Sequence, residues 1–182
     1  MLITDWNERF TNQDFSWNPS PLLVQLTDEV APGRALDLAS GPGRNAIHLA
    51  QSGWHVTAVD ASSVALDLLR RRAAERGVTV DTRLADLEKH EFTIEPDTYD
   101  LICDFFYLQR DLFPQISAGI RPGGVFAGSI HLFEPGREAS RYSLNSGELR
   151  GYFQEWKILY YSENRNDEEH KRRSAHIIAR RA

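Results

Sequence analysis

Three aspartates, Asp37, Asp60 and Asp86, and the turn Gly41-Pro42-Gly43 are the residues whose types and spacing could do chemistry in this chain. Glycines in such a turn let the backbone bend sharply and come close to a ligand. Carboxylates gathered beside it suit a ligand carrying a diol, an amine and positive charge. A carboxylate on a diol makes charge-assisted hydrogen bonds worth about 1.5–3 kcal/mol each.

The elements that must position these groups alternate along the chain. Short apolar runs, expected as buried strands, take turns with longer amphipathic stretches. The first strand is predicted at Ala35–Ala39, followed by the glycine turn and a helix from about Arg44 to Gln51. The second strand is His55–Asp60; Ser62 or Ser63 caps the next helix, which Gly77 ends. A third strand over Val78–Leu84 leads to Ala85-Asp86-Leu87, and a fourth is Tyr99–Phe105. A helix near Leu112–Ile120, the turn Arg121-Pro122-Gly123-Gly124 and a fifth strand Val125–His131 follow. Ser146-Gly147-Glu148-Leu149 starts a short helix, and strands Trp156–Ser162 and Ser174–Arg180 flank a polar segment read as a solvated hairpin loop. The expected fold is α/β: one Rossmann-like, doubly wound, mostly parallel seven-stranded sheet closed by a C-terminal antiparallel hairpin. Residues 1–33 are expected as a lid or helical segment and 34–182 as the main domain, one structural domain overall.

In such a sheet, ligands sit beyond the carboxyl ends of the strands, and all three aspartates are expected there. The pattern Gly41-x-Gly43-x-x-Ala46, with Asp60 about 20 residues on, also fits a dinucleotide fingerprint. A dinucleotide's pyrophosphate must rest on the helix N-terminus, and Asp37 at the loop's entrance opposes that charge. S-adenosylmethionine, with a ribose diol, an adenine amine, an α-ammonium and a sulfonium, suits three acids better. A nicotinamide-dependent oxidoreductase is the rival reading; a protein that binds S-adenosylmethionine without catalysis is another.

Composition narrows the partners. The chain has 182 residues, 21 Lys and Arg against 26 Asp and Glu, and net charge −5, so its overall field repels phosphate backbones. A small-molecule acceptor is expected, with no nucleic acid and no membrane. The single cysteine, Cys103, excludes an internal disulfide and fits a reducing compartment. The start at Met1 lacks a basic, apolar leader, so a soluble cytoplasmic protein is expected. The histidines show no metal-site spacing, and no metal is expected.

The block Ala35-Leu-Asp-Leu-Ala-Ser-Gly-Pro-Gly-Arg-Asn-Ala46 resembles motif I of class I S-adenosylmethionine-dependent methyltransferases. It is most similar to the small branch of tellurite-resistance and thiopurine methyltransferases, where Gly-x-Gly-Arg-Asn recurs. The resemblance extends through Asp60, Ala85-Asp86-Leu87, Arg121-Pro122-Gly123-Gly124 and the terminal hairpin. It implies that Asp37 reaches the methionine moiety, Asp60 the ribose and Asp86 the adenine amine. Ala39, Ser40, Gly41, Gly43, Asn45, Ala61, Ser62, Ala85, Leu87 and Phe105 complete the expected cofactor set. One departure is visible: Ala39 stands where the family has glycine. An acceptor such as a thiol or a chalcogen oxyanion like tellurite is implied by the resemblance alone, with S-adenosylhomocysteine as the other product.

Methyl transfer from a sulfonium needs positioning more than a catalytic triad. His131, at the end of the fifth strand, is the best-placed general base. Phe106, Tyr107 and Arg110 after the fourth strand are candidates for the acceptor pocket. Trp6, Arg9, Phe10 and Trp17 could form a lid that excludes water; related small methyltransferases cover their site with such a segment and place an arginine, here Arg9, near the cofactor carboxylate. Arg137 and Arg141, in the loop after the fifth strand, would suit an anionic acceptor.

Overall fold

The computed structural model describes residues 3–12, 15–134, 136, 141–163, 166–167 and 172–182. The chain divides into two compact units, residues 1–93 and 94–182.

In the first unit, α1 (Ile3–Thr11) and α2 (Pro21–Thr27) precede β1 (Arg34–Leu38), α3 (Arg44–Gln51), β2 (His55–Asp60), α4 (Ser63–Glu75) and β3 (Asp81–Leu84). The strands are parallel in the order β3-β2-β1, with Asp37 beside Ala58 and Asp60 beside Leu84. β1 is buried from Ala35 to Leu38, as expected of an apolar strand covered on both faces. Ser62 caps α4 by accepting from the Ala65 N–H at 3.0 Å, and Gly77 follows its end with a φ of +68°. β3 is shorter than the sequence suggested: Val78 to Val80 form no strand, and the strand itself is largely exposed. α1 was not marked out from the sequence, although Ile3, Trp6 and Phe10 fall at helical spacing on one face; of its described side chains Phe10 is the buried one.

The second unit contains β4 (Tyr99–Phe105), α5 (Phe113–Gly119), β5 (Ile120–His131), α6 (Glu148–Gly151), β6 (Lys157–Ser162), β7 (Asn166–Asp167) and β8 (Arg172–Arg180). The order is β4-β5-β8-β6, with β4 and β5 parallel and β8 antiparallel to both β5 and β6. The C-terminal antiparallel pair is thus as expected. β5 begins earlier than predicted, at Ile120 rather than Val125, with a register shift between Tyr99 and Leu101 that accommodates the Arg121-Pro122-Gly123-Gly124 turn. The polar segment expected as a loop instead contributes β7, which pairs with Arg172 and Arg173. Its core is aromatic: Phe113 stacks on Tyr152 at 3.9 Å, and Phe126 on Phe153 at 4.7 Å. No helix among the described residues is long and apolar enough to cross a membrane.

Candidate functional site

In the first unit, hydrogen bonds join the carboxyl ends of three strands into one edge. The Ser40 N–H donates to the Val59 carbonyl at 3.0 Å, and the Gly41 N–H donates to Asp60 Oδ2 at 2.7 Å. The Ser62 N–H donates to Asp60 Oδ1 at 2.8 Å, and the Ala85 N–H to the Asp60 carbonyl at 3.0 Å. Asp60 is therefore the hub that ties the glycine loop to the end of β3. Burial pushes its carboxyl above the ordinary value, while the N–H groups of Ser62, Gly41 and Ala61 pull it back down. An ionised carboxylate offers about four lone-pair sites. With these N–H groups on three of them, roughly one is left for a ligand hydroxyl.

Asp37 is 2% exposed, a buried carboxylate one residue before the end of β1. Asp86 caps the 3-10 turn Leu87–Lys89, accepting from the Glu88 N–H at 3.0 Å and pairing with Lys89 Nζ at 3.0 Å. Its own N–H donates to Glu91 Oε2 at 2.9 Å. Ala85 and Leu87 are buried on either side of it, and Ala61 lies half-buried after Asp60.

The loop's residues divide between backbone strain and packing. Ala39 has a φ of +49°, the left-handed region where a Cβ is costly, which explains why glycine is usual at this position. Gly43, the N-cap of α3, has a φ of +85°, and a Cβ there would lie 2.3 Å from Leu69 Cγ. It lets α4 pack tightly on the loop, so it serves packing before it serves any ligand. Gly41 is different: a Cβ would meet only the Phe10 ring, at 3.6 Å. Asn45 is buried and its Oδ1 accepts from the Ser20 N–H at 2.9 Å, fastening α2 to α3.

The aromatic N-terminal segment lies against this loop. The Phe10 ring faces Gly41, and Ser62 Oγ donates to Asn7 Oδ1 at 2.5 Å. Trp6 stacks on Phe10 at 5.8 Å, and Arg9 sits over the Trp6 ring at 5.0 Å. Phe15 meets Trp17 edge-on, and Arg72 of α4 covers Trp17 at 4.1 Å.

In the second unit, Phe105 is buried at the end of β4. Phe106 follows with a φ of +69°, a conformation a bulky residue adopts at a cost, and its ring stacks on His131 at 4.8 Å. His131 Nδ1 lies 3.0 Å from Ser174 Oγ. Tyr107 donates its hydroxyl to Gln109 Oε1 at 2.7 Å.

Arg110 is committed to structure. Its Nε and Nη2 donate to Glu148 at 2.6 and 3.2 Å, while Nη1 and Nη2 donate to the carbonyls of Arg141 and Ser143 at 2.8 and 2.9 Å. It thereby fixes the end of the loop before α6. Burial alone would raise the Glu148 carboxyl, but the hydrogen bonds from Arg110 and the Asn145 N–H hold it below its ordinary value. Arg141 is exposed, with its guanidinium over the Tyr142 ring at 4.7 Å and donating to the Tyr142 hydroxyl. Arg137 lies outside the described residues.

Four residues that sequence reasoning passed over matter here: Asn7, Ser129, Ser174 and His176. The first bonds Ser62, and the other three join His131 in paired contacts across β5 and β8. Only the strand register reveals the latter set, and no spacing in the sequence encodes it.

A family model described as tellurite resistance protein TehB matches residues 19–177. Among curated relatives, hemagglutinin 1 of Eikenella corrodens is 29% identical over 148 residues, covering 78% of this chain and 49% of its own. The probable S-adenosyl-L-methionine-dependent methyltransferase TehB of Haemophilus influenzae is 25% identical over 152 residues, covering 78% of this chain and 52% of its own. The chain thus spans about half the length of the curated relatives it matches. Among solved structures, TehB from Haemophilus influenzae aligns with a TM-score of 0.76 at 22% identity, covering 88% of this chain and 61% of that one. The likeness is one of fold, and it is the Rossmann-like methyltransferase fold that the strand–helix alternation predicts.

Proposed function

This chain belongs to the TehB family, and on that premise we propose that it is an S-adenosylmethionine-dependent methyltransferase acting on a small acceptor, a thiol or a chalcogen oxyanion such as tellurite. The observation that carries the reading is the edge at Asp60, where one carboxylate holds the glycine loop by the Gly41 N–H and the next helix by the Ser62 N–H. That edge fits the cofactor: a carboxylate with one remaining acceptor site for a ribose hydroxyl, a second buried carboxylate at Asp37, and Asp86 at the end of the adjacent strand.

When bound, S-adenosylmethionine would supply an activated methyl group on a sulfonium, with S-adenosylhomocysteine as the other product. The chain's residues do the rest. Asp60 orients the ribose and, through Gly41 and Ser62, holds the loop of Ala39, Ser40, Gly43 and Asn45. Asp37 would balance the α-ammonium, while Ala61, Ala85 and Leu87 would line the adenine side. Residues 1–33 serve as a cover, with Phe10 and Asn7 of α1 already seated on Gly41 and Ser62, and residues 34–182 as the methyltransferase domain. Arg9 and Trp17 belong to that cover, and excluding water favours a transfer in which the sulfonium's positive charge is lost as the neutral thioether leaves. On the acceptor side, His131, Phe106 and Tyr107 are the candidate contacts, with Arg141 supplying positive charge. Arg110 acts by bracing the loop that carries Arg141.

The test is transfer of a labelled methyl group to tellurite, selenite and small thiols, with a catechol as control. Labelled product from a chalcogen oxyanion or thiol is expected. Binding of S-adenosylhomocysteine without transfer to any of them would overturn the catalytic reading and favour a binding protein.

A further inference from the structure

The two oxygens of Asp60 are held by N–H groups from two different segments, and α1 reaches both of the residues that donate them. The Gly41 N–H serves Oδ2 at 2.7 Å, and the Ser62 N–H serves Oδ1 at 2.8 Å. On α1, Asn7 and Phe10 are three residues apart and so lie on one face of the helix. Asn7 Oδ1 accepts from Ser62 Oγ at 2.5 Å. The Phe10 ring stands over Gly41, with its Cζ 3.6 Å from where a Cβ would lie.

The Ser62 hydroxyl accepts from the Ala65 N–H at 3.0 Å as the cap of α4, and its one proton goes to Asn7. It therefore ties α1 to the start of α4 at the residue whose N–H holds Asp60. Phe10 is steadied in turn by Trp6, stacked at 5.8 Å, and by Phe15, edge-on at 5.8 Å. Little else fastens this helix. Phe10 is its buried side chain, while Ile3 and Trp6 are 37% and 38% exposed. A helix of nine residues is marginal on its own in water. With so few buried contacts its docking free energy is small, within reach of a ligand's bias.

We propose that α1 is a positioning element of the cofactor site: by fixing Ser62 and Gly41, Asn7 and Phe10 set the Asp60 carboxylate for a ribose hydroxyl, so that cofactor binding and α1 docking strengthen each other. The ribose half rests on the methyltransferase reading above; the hold of α1 on Ser62 and Gly41 does not. This role differs from water exclusion. A cover that only excludes water acts on every ligand beneath it, whereas a clamp on Asp60 acts on ligands whose hydroxyl Asp60 receives. With α1 undocked, water reaches the Gly41 and Ser62 N–H groups and competes for them, and the carboxylate must be ordered again when the hydroxyl arrives. The coupling is reciprocal: the factor by which α1 docking strengthens the cofactor is the factor by which the cofactor strengthens α1 docking. Asn7 and Phe10 are positioning residues; Asp60 is the group that touches the cofactor.

Calorimetric titration of the full chain with S-adenosylhomocysteine, and with an analogue lacking the ribose hydroxyls, separates the two roles. Asn7→Ala should weaken S-adenosylhomocysteine roughly three- to tenfold, the worth of one hydrogen bond, and leave the analogue within about twofold. Glu8→Ala, on the exposed side of α1, should change neither. Added to Asp60→Ala, Asn7→Ala should weaken binding no further. Equal weakening of both ligands by Asn7→Ala, or of neither, would overturn the positioning role. Amide hydrogen exchange followed by NMR reads the clamp without ligand: Gly41 and Ser62 should exchange faster in Asn7→Ala and in Phe10→Ala, and S-adenosylhomocysteine should slow exchange along α1 in the unaltered chain. Unchanged exchange at Gly41 and Ser62 in the folded variants would overturn the hold of α1. Failure of the unaltered chain to bind S-adenosylhomocysteine would overturn the methyltransferase reading instead, with the exchange comparison still deciding the clamp.

Discussion

Replacing Gly43 with alanine puts a methyl carbon 2.3 Å from Leu69 Cγ and 2.5 Å from its Cδ1, at a φ of +85°. Two costs add. Holding alanine in the left-handed region costs about 1–2 kcal/mol, and forcing a methyl into packed side chains costs about 1–3 kcal/mol. Leu69 is fully buried in α4, so it has little room to move aside. The expected loss is about 2–5 kcal/mol, which for a chain of this size lowers Tm by roughly 5–20 °C. Urea unfolding followed by circular dichroism measures it. The same exchange at Gly41 adds a Cβ at ordinary contact distance from Phe10, and should cost about 1–2 kcal/mol from the backbone alone. Leu69→Ala by itself should cost about 2–5 kcal/mol. In the double variant the new methyl enters the space that Leu69 leaves, so the losses should fall short of additive by about 1 kcal/mol or more. A loss under about 1 kcal/mol for Gly43→Ala, or strict additivity with Leu69→Ala, would refute the packing role.

Ala39→Gly should stabilise by about 0.5 kcal/mol, since relief of about 1–2 kcal/mol of backbone strain outweighs about 0.4–1 kcal/mol of added unfolded-state entropy; urea midpoints check it. Asp60→Ala removes the acceptor for the Gly41 and Ser62 N–H groups and should weaken S-adenosylhomocysteine about tenfold or more by calorimetry. Arg110→Met should release the loop end at Arg141 and Ser143, costing about 1–2 kcal/mol of stability and speeding hydrogen exchange over residues 141–148. Burial lowers the His48 pKa, with the nearby Asp28 charge opposing the shift. Its contribution to stability is therefore complete above its ordinary value of 6.5 and is lost as pH falls through its lower folded value. His48→Gln should flatten the pH dependence of the urea midpoint over that window.

The fold was legible wherever burial wrote itself into residue type. β1, β2 and β4 are apolar runs covered on both faces, and Ser62 and Gly77 marked the ends of α4 by their capping chemistry. β3 was overextended because its exposed Asp81–Leu84 carries no alternation to bound it. α1 was passed over although Ile3, Trp6 and Phe10 fall at helical spacing, because the segment was read for its aromatic residues as a lid. At the site, Asp37, Asp60 and Asp86 could be placed at strand ends by counting. What each carboxylate does depends on backbone N–H groups brought up by folding, and no residue type announces those. Asp60's grip on Gly41 spans two elements, and the opposition of His131 to Ser174 is a matter of register. Arg110 was read as a pocket residue because a basic side chain near a strand end suits an anion; its carboxylate partner, Glu148, lies 38 positions further along the chain.

The central claim is that the Asp60 edge receives S-adenosylmethionine and not a dinucleotide. Calorimetric titration of the full chain with S-adenosylhomocysteine, and separately with NADH and NADPH, tests it most directly. Micromolar binding of S-adenosylhomocysteine, weakened about tenfold or more in Asp60→Ala, with no heat from either dinucleotide, is the predicted result. Binding of NADH or NADPH without S-adenosylhomocysteine would contradict it.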